Sequence, residues 1–494
     1  MRPHIAQGLA GAWRNRLRIR PLKPRLHERA LAWLYEERWL VAIFIGALIV
    51  RVHWNTVVHP LGDYVYSDMN GYVQRAALLL DKGLEPHEYS SFFPYGTHWL
   101  VAGIQLLFGR DNFVAVSWAY ALMGAATVAL GYAVARRASF APTWVAPAVG
   151  LIGIFYYPHI SLGGYVLSEI PFAVFMMAGV LFLLRTMDTG RYVDTIGMGV
   201  CTGLAIVVRP QMMLSVAFIG LYWLIRRKAM PKLTLKHLLV GFVPIAMFLA
   251  FSSWLLHHNT GRRGLVSENG SFNLVFGRCH NEKIQSMPDG EGHGRVHFRP
   301  PEFLQINANM HRKIKEGEEP AITLDPALTD TLTYRGYIGD KEKHMEYIRQ
   351  CIEITGWTGQ LKYSWTNFIV LWRHNIPWPD SGRAQWRNIT RWWTMQYRHV
   401  FWIPSLLGML TLFMRRRWIR QAMVSVNLAA LLVTAAIFFG GIRHRTPYDY
   451  LFIFLACEVY AYAGMWALRG LRYGWERWGS SRSGGSSEQK SSSS

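Results

Sequence analysis

The feature that most constrains this chain is a series of apolar stretches, each long enough to cross a lipid bilayer. A transmembrane helix needs about 17 to 25 mostly apolar residues, and we count about ten such stretches. They are 39–58, 112–134, 141–157, 166–184, 193–208, 211–225, 238–257, 398–414, 421–440 and 447–468. Only 17% of the residues are charged, against about 25% in soluble domains. The sequence therefore predicts a helical membrane protein with many spans.

The positions of the basic residues predict how these spans are oriented. The formal charge of +22 does not indicate a nucleic-acid partner, because Lys and Arg gather at alternate ends of the spans. The clusters are 14–38, 136–137, 185–191, 226–236, 415–420 and 469–482. By the positive-inside rule these ends face the cytoplasm, so both termini are expected inside and two loops outside.

This topology divides the chain into five parts. We expect a basic cytoplasmic arm, an N-terminal membrane module whose first outer loop is helical, a large outer loop of mixed structure, the last membrane helices, and a disordered cytoplasmic tail. Their bounds are 1–38, 39–257 with the outer loop 59–111, 258–397, 398–468 and 469–494. The apolar run 97–108 is too short to span and predicts a helix of the first outer loop. Cys279 and Cys351 fall in the large loop, where a disulfide is possible but not indicated.

Ionisable residues that stand between apolar spans are the candidate functional residues. A charge at mid-membrane costs at least about 2.5 to 3.5 kcal/mol, so such groups are usually partnered. On the expected outer side they are Asp68, Glu169, Arg209 and the cluster Arg443, His444 and Arg445. The guanidinium fork matches phosphate oxygens, so several outer arginines around a cleft favour a phosphate ligand.

Each carboxylate also has a plainer interpretation. Asp68 begins a helix in the stretch YSDMNGYVQRA, where an acid is favourable at the positive end of the helix dipole. Glu169 in GYVLSEIPF is equally consistent with a solvated residue at the end of a span.

The arginines have plainer interpretations as well. Arg209 could cap a turn before Pro210, and Arg443 could pair with Glu458 or Asp449. Arg51, near the outer end of the first span, either joins the cleft or extends to the interface, and we favour the interface.

Six motifs, in this order, resemble the GT-C superfamily of membrane glycosyltransferases. The resemblance is to the bacterial branch related to protein O-mannosyltransferases, glycosyltransferase family 39, and to the lipid A aminoarabinose transferase. The first motif is DxxxYxxxA, formed by Asp68, Tyr72 and Ala76. The others are FFPYGTHWLVAGIQLLFG, SEIPF, AIVVRPQ, GSFNLVFGRCHN and RHRTPYDYLFIFLA. The resemblance covers about Trp39 to Arg469.

This resemblance implies a GT-C bundle and an inverting transfer of a sugar from a polyprenyl-phosphate carrier. Asp68 would be the general base, and Arg209, Arg443, His444 and Arg445 would hold the lipid phosphate. Glu169 would orient the acceptor or, with Asp68, bind a divalent cation such as Mg²⁺ or Mn²⁺; no cofactor is certain. Tyr72 and Ser168 would support the site.

The resemblance also implies where the enzyme acts and on what. We expect a multi-pass protein of the bacterial inner membrane with its active site on the outer, periplasmic face. Its partners would be the lipid-linked sugar donor and a glycan, lipid or protein acceptor. Two other hypotheses remain: a lipid, glycolipid or solute transporter, whose path the same charges would line, and a non-catalytic partner in envelope polysaccharide assembly.

Overall fold

The computed structural model of the protein describes residues 37–141, 143–279, 284–286, 295–298, 334–373, 379–380 and 384–483. The helices of its first half are α1 Arg38–His53, α2 Asp68–Lys82, α3 Tyr95–Phe108, α4 Phe113–Ala138, α5 Val145–Phe155, α6 Tyr157–Gly163, α7 Glu169–Thr189, α8 Tyr192–Val208, α9 Met212–Arg226 and α10 Leu235–Thr260. Those of the second half are α11 Asn269–Cys279, α12 Lys341–Arg373, α13 Ala384–Tyr397, α14 Ile403–Gly408, α15 Ile419–Ile437, α16 Ile442–Arg445 and α17 Asp449–Ser483.

Within the described residues, six helical segments are long and apolar enough to cross a membrane. They are Arg38–Val58, Phe113–Ala138, Glu169–Thr189, Leu235–Thr260, Arg416–Ile437 and Ile442–Gly470. The pair α5 and α6, bent by 49°, makes a seventh if it counts as one broken span. The predicted fold class, an α-helical polytopic membrane protein, is confirmed. The number of ten spans is not, because the other predicted spans fall on the bent pair, on the shorter helices α8 and α9, or on the interrupted stretch 398–413.

The end of the chain differs from its prediction. α17 continues to Ser483, so the first part of the tail predicted as disordered, 469–494, is helical. Residues 469–483 include Leu471, Arg472, Glu476 and Arg477, which are residue types that favour helices. The predicted arm 1–38 and residues 484–494 lie almost wholly outside the described residues.

Arg51 lies at the bend between α5 and α6. The side chain is only 2% exposed, and its two terminal nitrogens donate to the carbonyl oxygens of Ile154 and Gly153 at 3.3 and 3.1 Å. Both carbonyls lie in the last turn of α5, at the negative end of the helix dipole, and the Gly153 carbonyl also accepts from the amide of Tyr156 at 3.5 Å. The prediction that Arg51 extends to the interface is therefore wrong. A broken helix supplies acceptors inside the bundle that the sequence pattern did not reveal.

Basic residues from three predicted inner ends meet at one acid. Asp188, near the end of α7, forms ion pairs of 2.7 Å with Arg137 of α4 and with Arg420 of α15. Lys232, before α10, donates to the Asp188 carbonyl. The predicted inner ends of three membrane segments thus lie at one level, about 30 Å along α7 from Glu169 at about 1.5 Å per residue.

The loop 59–111, predicted to lie outside, folds as two helices on the bundle, and the predicted loop helix 97–108 is observed as α3. α2 is amphipathic and buries Met69, Tyr72 and Ala76 in a cluster that includes Val101 of α3 and Tyr120 of α4. Burial of these side chains holds the start of α2 against the membrane helices.

The loop 258–397, predicted to lie outside, contains both helices and strands in its described residues. Its three short strands, β1 Ile284–Ser286, β2 Arg295–Phe298 and β3 Tyr334–Tyr337, form an antiparallel sheet with β2 in the centre. A disulfide joins Cys279, the last residue of α11, to Cys351 of α12, which answers the question the sequence left open. α12 is broken at Gly356, where φ is 62°.

Close backbone contact joins this loop to the last membrane helices. A β-carbon at Gly440, just before α16, would lie 1.6 Å from the carbonyl oxygen of Asn367 in α12. Only glycine permits this approach, which brings α12 directly against the segment that carries Arg443.

Candidate functional site

Four of the predicted site residues come from four separate helix ends. Asp68 begins α2, Glu169 begins α7, Arg209 follows α8, and Arg443 lies in the short helix α16. Apolar helices that end at a common level leave their polar end residues beside one another. The bundle therefore brings together groups that are up to 375 residues apart in the sequence.

The backbone before Asp68 is unusual. Ser67 has φ 49° and ψ −125°, a region that non-glycine residues rarely occupy and that costs about 1 to 3 kcal/mol. Its carbonyl accepts the first helical hydrogen bond, from the amide of Gly71 at 3.1 Å. The turn directs the chain abruptly into α2, so that Asp68 stands at the helix start, and its side chain is 37% exposed.

Local sequence also explains the positions of Glu169 and Arg209. The loop before α7 is fixed by a hydrogen bond of 3.0 Å from the Tyr120 hydroxyl to the Leu167 carbonyl, and the Glu169 side chain is 1% exposed. Pro210 disfavours helical backbone at the residue before it. α8 therefore ends at Val208, and Arg209 is extended, with φ −146° and ψ 110°.

The four charged groups form a chain in which acid and base alternate. Arg443 Nη1 lies 3.0 Å from Asp68 Oδ2, and its Nε donates to Glu169 Oε1. The same Glu169 oxygen pairs with Arg209 Nη1 at 2.7 Å. Glu169 is thus the buried centre that fixes both guanidinium groups, while Asp68 is the exposed end of the chain of ion pairs. We call Asp68, Glu169, Arg209 and Arg443 the charged network.

His444 and Ser168 complete the surroundings of Arg209. Its Nη2 lies 2.7 Å from His444 Nδ1. Because a guanidinium only donates, Nδ1 is the acceptor and the ring proton is on Nε2. Arg209 Nη1 also donates to the Ser168 hydroxyl at 3.4 Å. These contacts limit the rotation of the Arg209 side chain.

Tyr72 lies under the network. The hydroxyl hydrogen-bonds Ser168, and burial, more than any neighbouring charge, raises the pKa of Tyr72 above its usual value. Tyr72 therefore stays protonated and serves to pack and hydrogen-bond; the supporting role predicted for it and Ser168 stays a prediction.

Arg445 does not join the charged network. It is 1% exposed and pairs with Asp449 at 2.8 Å, donates to the Leu371 carbonyl at 2.7 Å and lies 3.8 Å from the centre of the Tyr397 ring. Asp449 in turn accepts a hydrogen bond of 2.6 Å from the Tyr156 hydroxyl. The structure therefore places this predicted phosphate ligand in a closed, buried ion pair.

The fit of a divalent cation is poor at the two carboxylates named for it. Asp68 and Glu169 both contact Arg443, and Glu169 contacts Arg209 as well. A cation there would face two guanidinium charges. The part of the chain that the structure describes also contains no group of three His, Cys, Asp or Glu side chains that could hold a metal.

Two polar residues beside the network were missed by the sequence analysis. Gln211 Nε2 donates to the Tyr448 hydroxyl at 3.2 Å and so links the turn after α8 to the segment after α16. Both lie in motifs already noted, RPQ and RTPYDY. Their position two or three residues from an arginine was the available signal.

Fold and site together define a multi-pass helical membrane protein with a charged network at the ends of its spans. Its segment 93–254 matches the family model of dolichyl-phosphate-mannose-protein mannosyltransferases. This match confirms the resemblance to the GT-C glycosyltransferases, and it includes Glu169 and Arg209 but ends before Arg443. No curated protein sequence matches the chain.

Solved structures of two kinds are similar to parts of this fold. One is the Saccharomyces cerevisiae protein O-mannosyltransferase Pmt1-Pmt2 complex bound to the sugar donor, with a TM-score of 0.36, 18% identity and coverage of 46% of this chain and 34% of that one. The other is the oligosaccharyltransferase AglB from Archaeoglobus fulgidus with an inhibitory peptide and a dolichol-phosphate, with a TM-score of 0.47, 10% identity and coverage of 90% and 52%. This chain thus spans about a third to a half of the length of those proteins.

Proposed function

We propose that this protein is an inverting glycosyltransferase that moves a sugar from a polyprenyl-phosphate carrier to an acceptor at the outer face of the membrane. The observation that carries the proposal is the charged network itself: two carboxylates and two arginines from four separate helices meet in one chain of ion pairs. The mannosyltransferase-type segment 93–254 supports sugar transfer as the chemistry.

Asp68 is the group best suited to take the acceptor proton. It is the more exposed carboxylate, 37% against 1% for Glu169, so an acceptor hydroxyl or amine can reach it. As the acceptor oxygen or nitrogen bonds to the anomeric carbon, its proton passes to Asp68 and the bond from that carbon to the phosphate oxygen breaks. The sugar is inverted, and the lipid phosphate leaves as an anion.

The arginines stabilise that leaving anion. Arg443 is 18% exposed and Arg209 11%, so both combine a low-dielectric setting with access from the membrane surface, where a fixed cation is most effective. Glu169 holds the two guanidinium groups in place and keeps the pair from repelling. A polyprenyl phosphate that replaces Asp68 at Arg443 would keep the charges of the network balanced.

Binding of the donor also resolves a conflict in the role of Asp68. Before the donor binds, Asp68 Oδ2 is engaged in an ion pair with Arg443 Nη1 at 3.0 Å. A phosphate that binds Arg443 competes for the nitrogen that Asp68 now contacts. Asp68 is thereby released toward the acceptor only when the donor is in place, which couples proton removal to a filled donor site.

The decisive variant is Asp68→Asn, with Asp63→Asn as its matched control. Asp63 is an exposed acid five residues earlier in the same loop. In membranes supplied with a labelled polyprenyl-phosphate sugar, Asp68→Asn should lower transfer by about 10² to 10⁴, the usual worth of a general base. Binding of the labelled carrier should persist, and Asp63→Asn should behave as the unchanged protein. Equal transfer rates in all three proteins would overturn the assignment of Asp68.

A further inference from the structure

A polar pocket lies two helical turns along α2 from Asp68 of the charged network. It is enclosed by the later part of α2, the loop 83–91, α3 and the end of α10. Arg75, His98, Trp99 and Asn259 are among the residues that line it, and its interior is about 30 Å³. Since one water needs about 10 to 15 Å³, this space admits two waters or a small polar group of similar size.

Arg75 brings an uncompensated positive charge to this pocket. It is 1% exposed, and in the described part of the chain no carboxylate forms an ion pair with it. Its Nε donates to the Tyr89 carbonyl and its Nη1 to the Gly71 carbonyl, both at 2.8 Å. The guanidinium carbon lies 3.7 Å from the centre of the Tyr89 ring. Nη2 has no hydrogen-bond partner.

The chain makes room for this arrangement. A β-carbon at Gly71 would lie 2.9 Å from Arg75 Nη1, so glycine allows the guanidinium to fold back on its own helix. The buried Arg445, by contrast, has Asp449 as counterion. Carbonyls and ring faces offset part of the cost of a buried cation, but such a charge is normally paired as well.

His98 supplies a second polar atom in the same pocket. It is buried, and its Nδ1 has no hydrogen-bond partner. Burial and the nearby Arg75 charge lower the pKa of His98 to about 3, so the ring is neutral at physiological pH and can donate one hydrogen bond without adding a charge. Glu85, the one acid among the described residues that line the pocket, is exposed.

We propose that the pocket between α2, α3 and α10 binds an oxyanion group, a carboxylate or a phosphate, through Arg75 with His98 as second donor. The fork of a guanidinium suits such a group, and the volume of the pocket fits a carboxylate or phosphate but not a sugar ring. The site is distinct from the charged network, since seven residues of α2 separate Arg75 from Asp68 by about 10 Å along the axis.

The anion can be a free ion or a group carried by the acceptor. The first test uses the purified full-length protein in lipid nanodiscs and measures its melting temperature with phosphate or acetate against chloride at equal ionic strength. We expect a saturable rise with phosphate or acetate. Arg75→Gln should weaken the apparent affinity by about tenfold to a hundredfold, the worth of a charged hydrogen bond.

Two control variants separate this pocket from other cationic sites. Arg209→Gln removes an arginine of the charged network, and Arg110→Gln removes an exposed arginine that pairs with Asp81 near the end of α2. Both should keep the anion response. Loss of the response in Arg209→Gln but not in Arg75→Gln would place the anion in the network and overturn the proposal, as would no response in the unchanged protein.

The source of the anion follows from transfer kinetics with acceptors that carry or lack an acidic group. If the acceptor supplies the anion, Arg75→Gln raises KM for the acidic acceptor alone, and free phosphate competes with it; this arm rests on the proposed function. If the ion is free, KM is unchanged while the melting response is still lost. Should Arg75→Gln fail to fold, His98→Phe removes the second donor and must weaken the anion response.

Discussion

Two arginines that stand two residues apart in one short helix have very different surroundings. Arg443 contacts Asp68 and Glu169, which come from other helices, and the charged network is exposed at Asp68. Arg445 pairs with Asp449 of its own segment and is closed off by Tyr397 and Leu371. Residues two apart on a helix point about 200° apart, which sends the side chains to opposite sides.

This difference in surroundings indicates what the ion pairs of Arg443 and Arg445 are each suited to do. A buried pair with both charges satisfied holds a fold in one arrangement, and losing one partner costs about 3 to 5 kcal/mol. A partly exposed network whose partners belong to separate helices can exchange one of them for a ligand. We therefore propose that Arg443 contacts the substrate and that Arg445 is structural, although both were predicted from the sequence as phosphate ligands.

The largest expected effect on stability separates the two arginines. Arg445→Met leaves Asp449 buried without a counterion, so we expect a loss of about 3 to 5 kcal/mol of unfolding free energy. Arg443→Met should cost less, because Glu169 keeps Arg209 and Asp68 reaches water. Chemical unfolding in detergent micelles measures both.

A double variant checks the reason for that loss. Arg445→Met with Asp449→Leu removes both charges and should recover most of the stability, since an apolar pair of similar volume replaces a buried ion pair at little cost. If the double variant is as unstable as Arg445→Met alone, packing rather than the unpaired Asp449 charge accounts for the effect.

A smaller effect is expected at the far end of the charged network. Arg209→Gln removes one of two phosphate contacts while Arg443 remains, so KM for the lipid-linked donor should rise about tenfold, the worth of one charge-assisted hydrogen bond. Arg185→Gln is the control, because Arg185 also pairs with an acid, Asp194, but at the opposite helix ends. A change confined to the KM for the acceptor would show that Arg209 does not contact the phosphate of the donor.

All four residues of the charged network could be predicted from the sequence because the physical signal is local. A charge at the end of an apolar span is costly wherever it lies, so Asp68, Glu169, Arg209 and Arg443 stood out without any knowledge of contacts. The end of α8 is also a local signal, because Pro210 disfavours helical backbone at the residue before it. Apolar length likewise predicted the helical membrane fold.

What the sequence could not supply is partner identity. The sequence RHR does not show which arginine pairs with Asp449 and which with Glu169. The partner of each arginine depends on which side of a four-residue helix faces which neighbour. Arg51 was misjudged because its acceptors are carbonyls at a bend. Cys279 and Cys351 were left open because only the fold of the loop brings them together.

Asp380 extends the comparison to an acid that forms no ion pair with any cation in the described residues. It is buried and accepts hydrogen bonds from the hydroxyls of Ser161 at 2.7 Å and Tyr165 at 2.9 Å, and from those of Thr390 and Tyr157. No sequence pattern marks it, because its partners lie more than 200 residues away except for Thr390. Four neutral donors hold this acid, whereas arginines hold Glu169.

The smallest expected effect is a pH dependence that comes from this acid. Burial raises the pKa of Asp380, an effect that outweighs the opposing hydrogen bonds, so the folded protein binds its proton more tightly than the unfolded chain does. Stability from this group is therefore full below the unfolded pKa of about 3.9 and is lost as the pH rises through the folded value. In chemical unfolding measured as a function of pH, the protein should become easier to unfold as the pH rises above about 3.9, and Asp380→Asn should flatten that slope. A slope that survives in Asp380→Asn would mean that another group titrates, and that four hydroxyls stabilise the ionised carboxylate as well as a cation does.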